Sequence, residues 1–182
     1  HLERGGPNLE YKKQLKYKRP WAELIRSFAP QPTKKILVIG GRWGSDVRYL
    51  HEAGFQCEIV AIDLYNPPLV SNVQYGDAHD LSPFKGPFDI VWAYHVFEHF
   101  YTPSKVIQQI ESVIRHGSIL GVVLPSYNKI DRYDAQSEFS DENTFLQLFA
   151  KSALKLEYRE VRKKKDIKKK DPPDYWYVFK VK

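Results

Sequence analysis

A single cysteine in 182 residues, Cys57, leaves no partner for an internal disulfide, so the fold owes nothing to an oxidising compartment. Its position just ahead of an apolar run predicts a packed thiol rather than a reactive one. No apolar stretch approaches the roughly 20 residues needed to cross a bilayer, and the segment His1 to Gly6 lacks the apolar centre of a secretory signal. The expectation is a soluble, cytoplasmic protein with no membrane partner, and the first residues are assigned no role. No internal repeat is visible.

What the chain does have is an apolar fraction of 42% and an aromatic fraction of 14%, which exclude a disordered polypeptide and suffice for one ordinary core. Net charge is +6, unevenly spread. Residues 1–35 hold nine Lys/Arg against three Asp/Glu, residues 36–150 seven against fourteen, and residues 151–182 twelve against five. Basic ends around an acidic middle can collect a polyanion, although lysine runs also occur simply as solvated loops.

The central pattern runs from Lys35 to Asp63. An apolar strand, Ile36 to Ile39, meets a glycine turn with Gly40, Gly41 and Gly44; a short helix follows, then a second apolar strand, Ile59 to Ile62, ending on the carboxylate of Asp63. This is the βαβ order of nucleotide-binding sheets, in which glycines admit a ligand close to the backbone and the terminal acid accepts ribose hydroxyls. Asp63 lies 23 residues beyond Gly40, near the spacing of roughly 20 that such units use.

Ahead of this unit, Pro20 opens a helix predicted over Trp21 to Phe28, with Leu24, Ile25 and Phe28 on one face. Residues 1–33 read as a helical cap and residues 34–182 as the main domain. Ser45 is the expected N-cap of the helix after the glycine turn, with Val47 and Leu50 inward and Gly54 closing it. Val73 to Tyr75 is a short third strand before the turn Gly76-Asp77-Ala78, and Asp89 to Ala93 is a fourth. A helix from Thr102-Pro103 to Gly117 places Val106, Ile107, Ile110, Val113 and Ile114 at helical spacing. The apolar run Ile119 to Leu124 suits a parallel strand buried on both faces. Ser140 caps a further helix carrying Phe145, Leu148 and Phe149, and Leu154 to Tyr158 pairs with Tyr175 to Val181 in a closing hairpin. The predicted class is α/β, a three-layer sandwich on a mostly parallel seven-stranded sheet with an antiparallel C-terminal hairpin.

From about Lys34 to the C-terminus this order of motifs resembles the class I S-adenosylmethionine-dependent methyltransferases, whose Rossmann-like sheet also carries an antiparallel seventh strand. The resemblance implies S-adenosylmethionine as cofactor and methyl transfer, O- or N-directed, as activity. It implies that Gly40, Gly41, Arg42 and Gly44 meet the methionine half, Asp63 with Leu64 the ribose, Asp77 with Ala78 the adenine, and Ala93 the region beside the reacting methyl. Taken by itself, Asp77 is equally a turn former. Two departures stand out. The family has an acid late in the first strand and a third glycine in the loop, where this chain has Val38 and Arg42, followed by Trp43. Three readings stay open: Arg42 pairs with the cofactor carboxylate, the loop binds cofactor poorly, or the chain is a non-catalytic methyltransferase-like binding subunit.

His95-Val96-Phe97-Glu98-His99 spells His-x-x-Glu-His, the pattern by which one class of zinc peptidase holds Zn²⁺ between two histidines a helical turn apart. That chemistry needs a long helix and a third ligand, whereas this string follows a strand within two residues. Methyltransferases commonly carry an aliphatic-Glu-His string at this place, and a Mg²⁺-binding subset uses Glu-x-x-Glu-His. With His95 where the first acid would be, no metal is predicted; a metal-dependent hydrolase through His95, Glu98 and His99 is the third class of function. Tyr94, His95 and His99 are expected to line the acceptor side, a histidine serving as general base because imidazole titrates near neutrality. His99 is equally suited to a hydrogen bond inside the fold.

The acceptor is expected to lie against the N-terminal cap, the end of the fourth strand, and Ser126, Tyr127, Asn128 and Tyr133, whose aromatic surface suits an aromatic, sugar or nucleobase group. A small molecule is the expected partner, and a nucleic acid bound through the basic termini is the alternative.

Overall fold

The computed structural model describes residues 7–65, 70–127, 138–163 and 173–182, with side chains from Lys18 onward. In chain order the elements are α1 (Pro7–Phe28), β1 (Lys35–Ile39), α2 (Ser45–Glu52), β2 (Glu58–Asp63), β3 (Gln74–Tyr75), β4 (Phe88–Tyr94), a 3₁₀ turn (Phe97–His99), α3 (Pro103–Val113), β5 (Ile114–Leu124), α4 (Glu142–Gln147), β6 (Leu154–Arg162) and β7 (Asp174–Val181). Asn128, Tyr133 and most of the lysine-rich stretch before β7 lie outside the described residues.

Alternation along the strands decides the layers. In β1, Ile36 and Val38 face one side and Leu37 and Ile39 the other; β5 and β7 divide in the same way. One face meets Trp21, Ala22 and Ile25 of α1 with Val47 and Leu50 of α2. The opposite face meets Val106, Ile107 and Ile110 of α3 with Phe145 and Phe149 beyond it. The seven strands run β3-β2-β1-β4-β5-β7-β6, with parallel pairs from β3 to β5 and β7 antiparallel to both β5 and β6. Strands buried on both faces need near-continuous apolar runs, and that is why Ile119 to Leu124 contains no polar residue. The expected sandwich with its closing hairpin is the observed fold.

Several boundaries differ from the sequence-based expectation. Pro20 lies inside α1, which starts at Pro7, so the helix tolerates one missing N–H donor there. Gly44, at φ 68°, takes the N-cap position of α2, and Ser45 is its buried first residue. The acid of the first turn, Asp46, suits the positive end of that helix. Helix α3 stops at Val113 rather than Gly117. Gly117, at φ 82°, instead sits where β5 loops out between its pairings with Phe88 and Ile90. Helix α4 is capped by Asp141 rather than Ser140: Asp141 Oδ1 accepts the Thr144 N–H at 2.8 Å, and the Thr144 hydroxyl accepts the Asp141 N–H at 3.2 Å.

The loop in β5 has a use. It brings the Arg115 guanidinium to Asp89 Oδ1 at 2.6 Å, while Asp89 Oδ2 accepts the Lys34 and Lys35 N–H groups at 2.7 and 3.0 Å. Burial alone would raise the pKa of Asp89, but these donors outweigh it and hold the carboxyl below the ordinary range. The unfolded chain therefore takes up this proton first as pH falls, so the stabilisation is present above the ordinary aspartate range of about pH 4 and is lost progressively as pH falls from there through the lower folded-state value. Asp89→Asn should cost about 1–3 kcal/mol near neutrality and flatten the acid limb of a denaturation series below about pH 5.

A second consequence concerns α1. Gly121 in β5 has no side chain, and a Cβ there would meet Trp21 Cζ2 at 2.8 Å and the Ile25 side chain closer still. Trp21 uses that space to reach Trp92 and Trp176, with ring centroids 5.9 and 5.0 Å away. Gly121→Ala should destabilise the protein by about 1–3 kcal/mol by overpacking, read as a lower chemical-denaturation midpoint.

Candidate active site

After β1 the chain turns to α2, on the face that carries α1; after β4 it proceeds to α3, on the other face. The two neighbouring strands thus send their connections apart, and a crevice opens beyond their carboxyl ends, where open α/β sheets hold ligands. The glycine turn borders it from β1, and Tyr94 to His99 border it from β4. The turn is fastened to β2: the N–H groups of Gly40 and Gly41 both donate to the Ile62 carbonyl at 2.9 Å, and the Arg42 N–H donates to Asp63 Oδ2 at 2.9 Å. Asp63 Oδ1 accepts the Tyr65 N–H at 3.0 Å. Each carboxylate oxygen keeps acceptor capacity for a further donor.

Two cavities occupy the crevice and share Gly40, Arg42 and His95. The larger, about 270 Å³, is bordered by Asp63, Leu64, Tyr65, Gly76, Ala78, Val96, His99 and Phe100. The smaller, about 190 Å³, is bordered by Gly41, Trp43, Ser45, Tyr94 and the pair Lys18 and Asp46. Gly40 stands at φ 78°, and a Cβ on it would press on Val96 at 3.0 Å, so glycine there keeps the space between turn and Val96 open.

Most residues expected from the sequence come together here. Gly40, Gly41, Arg42, Asp63, Leu64, Ala78, Tyr94, His95 and His99 each line one cavity or both. Gly44 shapes the turn from outside, packed against Asn72. Ala93 is wholly buried in the core and lines neither cavity. Asp77 lines neither as well, although Gly76 and Ala78 on either side of it do. Its Oδ1 accepts the His79 N–H at 2.8 Å and lies 2.8 Å from His79 Nδ1. Burial opposes ionisation of Asp77, but the contacts with His79 prevail and lower its proton affinity. Tyr127 is likewise spent on packing, its hydroxyl 3.0 Å from that of Tyr177 and its ring against Phe139 and Tyr175.

Within the His95 to His99 string only Phe97–His99 are helical, as a 3₁₀ turn rather than a long helix, and His99 is largely exposed. Among the described residues no group of three or more His, Cys, Asp or Glu side chains is placed to hold a metal ion. His95 itself adopts φ 49°, a conformation that costs a non-glycine residue on the order of 1–3 kcal/mol and tends to persist where function needs it. Its N–H still donates to the Val123 carbonyl at 2.9 Å, and its buried Nε2 faces Asp174 Oδ1 at 3.3 Å.

Three participants carry no local sequence signal. Asp174 begins β7, 79 residues beyond His95, and is almost fully buried. Lys18 and Asp46, 28 residues apart, form a buried ion pair in which Nζ is 2.9 Å from both carboxylate oxygens. Trp92 Nε1 donates to Asp46 Oδ1 at 3.0 Å, and Lys18 Nζ lies 4.7 Å from the Tyr94 ring centroid. The only available hint was the missing acid at Val38, which is buried among the α1 contacts.

The sequence matches the model of the methyltransferase domain family over residues 11–161. Similar solved structures include an S-adenosylmethionine-dependent methyltransferase from Aquifex aeolicus, at 12% identity over 98% of this chain and 100% of that one, with a TM-score of 0.68. An S-adenosylmethionine-dependent methyltransferase from Clostridium acetobutylicum is 13% identical over 91% and 92% of the two chains, also at 0.68. The N-methyltransferase NodS from Bradyrhizobium japonicum is 14% identical over 94% and 97%, at 0.67. At these identities the likeness is one of fold, and no functionally curated protein matches the sequence. Because the family match spans most of the chain, including the glycine turn, Asp63 and the β4 end that build the crevice, the chain belongs to the methyltransferase domain family.

Proposed function

We propose that this protein transfers a methyl group from S-adenosylmethionine to a small-molecule acceptor. The observation that carries the reading is the pair of adjoining cavities that meet at Gly40, Arg42 and His95, one bordered by the ribose-competent carboxylate of Asp63 and the other by charged side chains. The residues present fit the cofactor. Gly40 leaves backbone uncovered, Asp63 retains lone pairs for two hydroxyls, and the exposed Leu64 and Tyr65 beside Ala78 give an apolar surface for a base.

When bound, S-adenosylmethionine supplies an activated methyl on a sulfonium, so chemistry asks little of the protein beyond position and exclusion of water. Asp63 accepts the ribose hydroxyls while fixing the turn through the Arg42 N–H. His95 sits at the junction of the cavities, where an acceptor hydroxyl can lose its proton to the imidazole, and the Asp174 carboxylate stands 3.3 Å behind its Nε2. Tyr94 and His99 flank that position, Tyr94 on the side of the smaller cavity and His99 on the side of the larger. An amine that arrives unprotonated would need no base at all, so either an O- or an N-directed acceptor can be served. The second reading, a non-catalytic binding subunit, draws on Val38, which leaves the first strand without an acid.

A thermal-shift panel tests the cofactor reading. S-adenosylmethionine and S-adenosylhomocysteine at about a hundred times their dissociation constants should raise the melting temperature by about 5–10 °C, while NAD and Zn²⁺ leave it unchanged. A response to Zn²⁺ alone would favour the hydrolase. Asp63→Ala should weaken S-adenosylhomocysteine binding at least about tenfold by calorimetry, the worth of a lost charge-assisted hydrogen bond.

A further inference from the structure

We propose that the buried Lys18–Asp46 pair is a receptor for a zwitterionic α-amino acid group, with Asp46 taking the ammonium and Lys18 the carboxylate. The proposal rests on the cofactor reading above, and identifies what holds the methionyl end. Both side chains line the smaller cavity, yet they are only 9% and 5% exposed. A buried ion pair gives little net stability compared with apolar packing, so its presence at the wall of a cavity asks for another explanation.

The hydrogen-bond inventory gives one. A lysine ammonium has three donors, and Asp46 engages at most two of them. A carboxylate offers about four acceptor positions, and Lys18 with Trp92 Nε1 accounts for three. Among the described residues one donor and one acceptor of opposite charge therefore remain side by side, which is the complement of an ammonium next to a carboxylate. The two charges neutralise each other before a ligand arrives, so the empty site carries no isolated buried ion. Tyr94 and Tyr49, with ring centroids 4.7 and 5.9 Å from Nζ, hold the lysine from its apolar sides.

The same pair explains the departure at Val38. The acid expected in β1 is replaced by an acid in the first turn of α2, and its counterion comes from α1. The N-terminal helix is then part of the cofactor site and not merely a cover for the sheet.

Calorimetry with two ligands isolates the amino acid end. S-adenosylhomocysteine carries it, whereas 5′-methylthioadenosine has the same base, ribose and thioether without it. In the unaltered protein S-adenosylhomocysteine should bind at least about tenfold more tightly. Asp46→Asn and Lys18→Met should each remove most of that preference while changing 5′-methylthioadenosine affinity by less than about twofold. Because either variant leaves one buried charge without its partner, the double variant Lys18→Met with Asp46→Asn, which removes both charges, is measured alongside, with thermal unfolding as the check on folding. It too should bind the two ligands alike. Retention of the preference in the folded double variant overturns the proposal, as does loss of the preference on Arg42→Ala but not on Lys18→Met. If the unaltered protein binds neither nucleoside, it is the cofactor reading that falls; if it binds both and the variants weaken both equally, only the receptor falls.

Discussion

A carboxylate taken almost completely out of water survives only if donors are brought to it, and in this fold Asp46 is the place where that requirement is met. Its donors come from α1 (Lys18) and from the central strand β4 (Trp92), while Asp46 itself lies in the first turn of α2. Three elements are thereby fixed to one another directly beneath the glycine turn. Removing one partner of such a group typically leaves an uncompensated charge worth several kcal/mol, so α1 cannot leave the sheet without exposing or stranding it. At the far end of the same helix pair, Arg26 Nη1 donates to the Ala53 carbonyl at 2.7 Å, where α2 terminates. The apolar contact of Trp21 with Trp92 and Trp176 lies between these two polar ties. Polar contacts set the register of α1 against α2, and burial of the tryptophans supplies the adhesion.

How much of this could be read in advance depends on how local each signal is. The strands were legible because a parallel strand buried on both faces has to be apolar throughout, as Ile36 to Ile39 and Ile119 to Leu124 are. The hairpin was legible from its alternation and its aromatic content. The start of α1 was not: Pro7 to Pro20 is rich in lysine and tyrosine, shows no apolar period, and ends in a residue that normally marks a helix start. Asp63 announced itself by position at a strand end, while Asp46 and Asp174 did not. Their partners are 28 and 79 residues away, and no local pattern encodes a contact of that separation. The absence of an acid at Val38 was visible; the burial of Asp46 beside the same turn was a property of packing.

The glycine turn shows the converse, a change of residue without a change of backbone. Arg42 occupies the place of a loop glycine and adopts φ 26°, on the side of the Ramachandran map that glycine visits freely and other residues avoid. The strained residue is held by its own N–H, bonded to Asp63 Oδ2, so the acid expected to meet the ribose also maintains the shape of the turn. The guanidinium meanwhile sits 5.9 Å from the Trp43 ring centroid, at the edge of both cavities. At Arg42 the backbone geometry is thus held by β2 where a glycine is missing, and counting glycines understates how much of the nucleotide-binding turn is intact.

His95 makes the same point for the acceptor side. Along β4, Trp92 and Tyr94 obey the alternation of a strand and both turn toward α1, one meeting Asp46 and the other Lys18. A regular strand would send His95 to the opposite face and bury it among the α3 contacts. Its positive φ breaks the alternation while its N–H keeps the last ladder bond to β5. The ring consequently lies at the boundary of the two cavities with Asp174 of β7 behind it. The strain in one residue therefore separates two duties of a single strand end: Trp92 and Tyr94 complete the charged pocket, and His95 is released to meet whatever enters beside it. That division ties the C-terminal hairpin to the crevice, since the carboxylate behind the imidazole belongs to the first residue of β7.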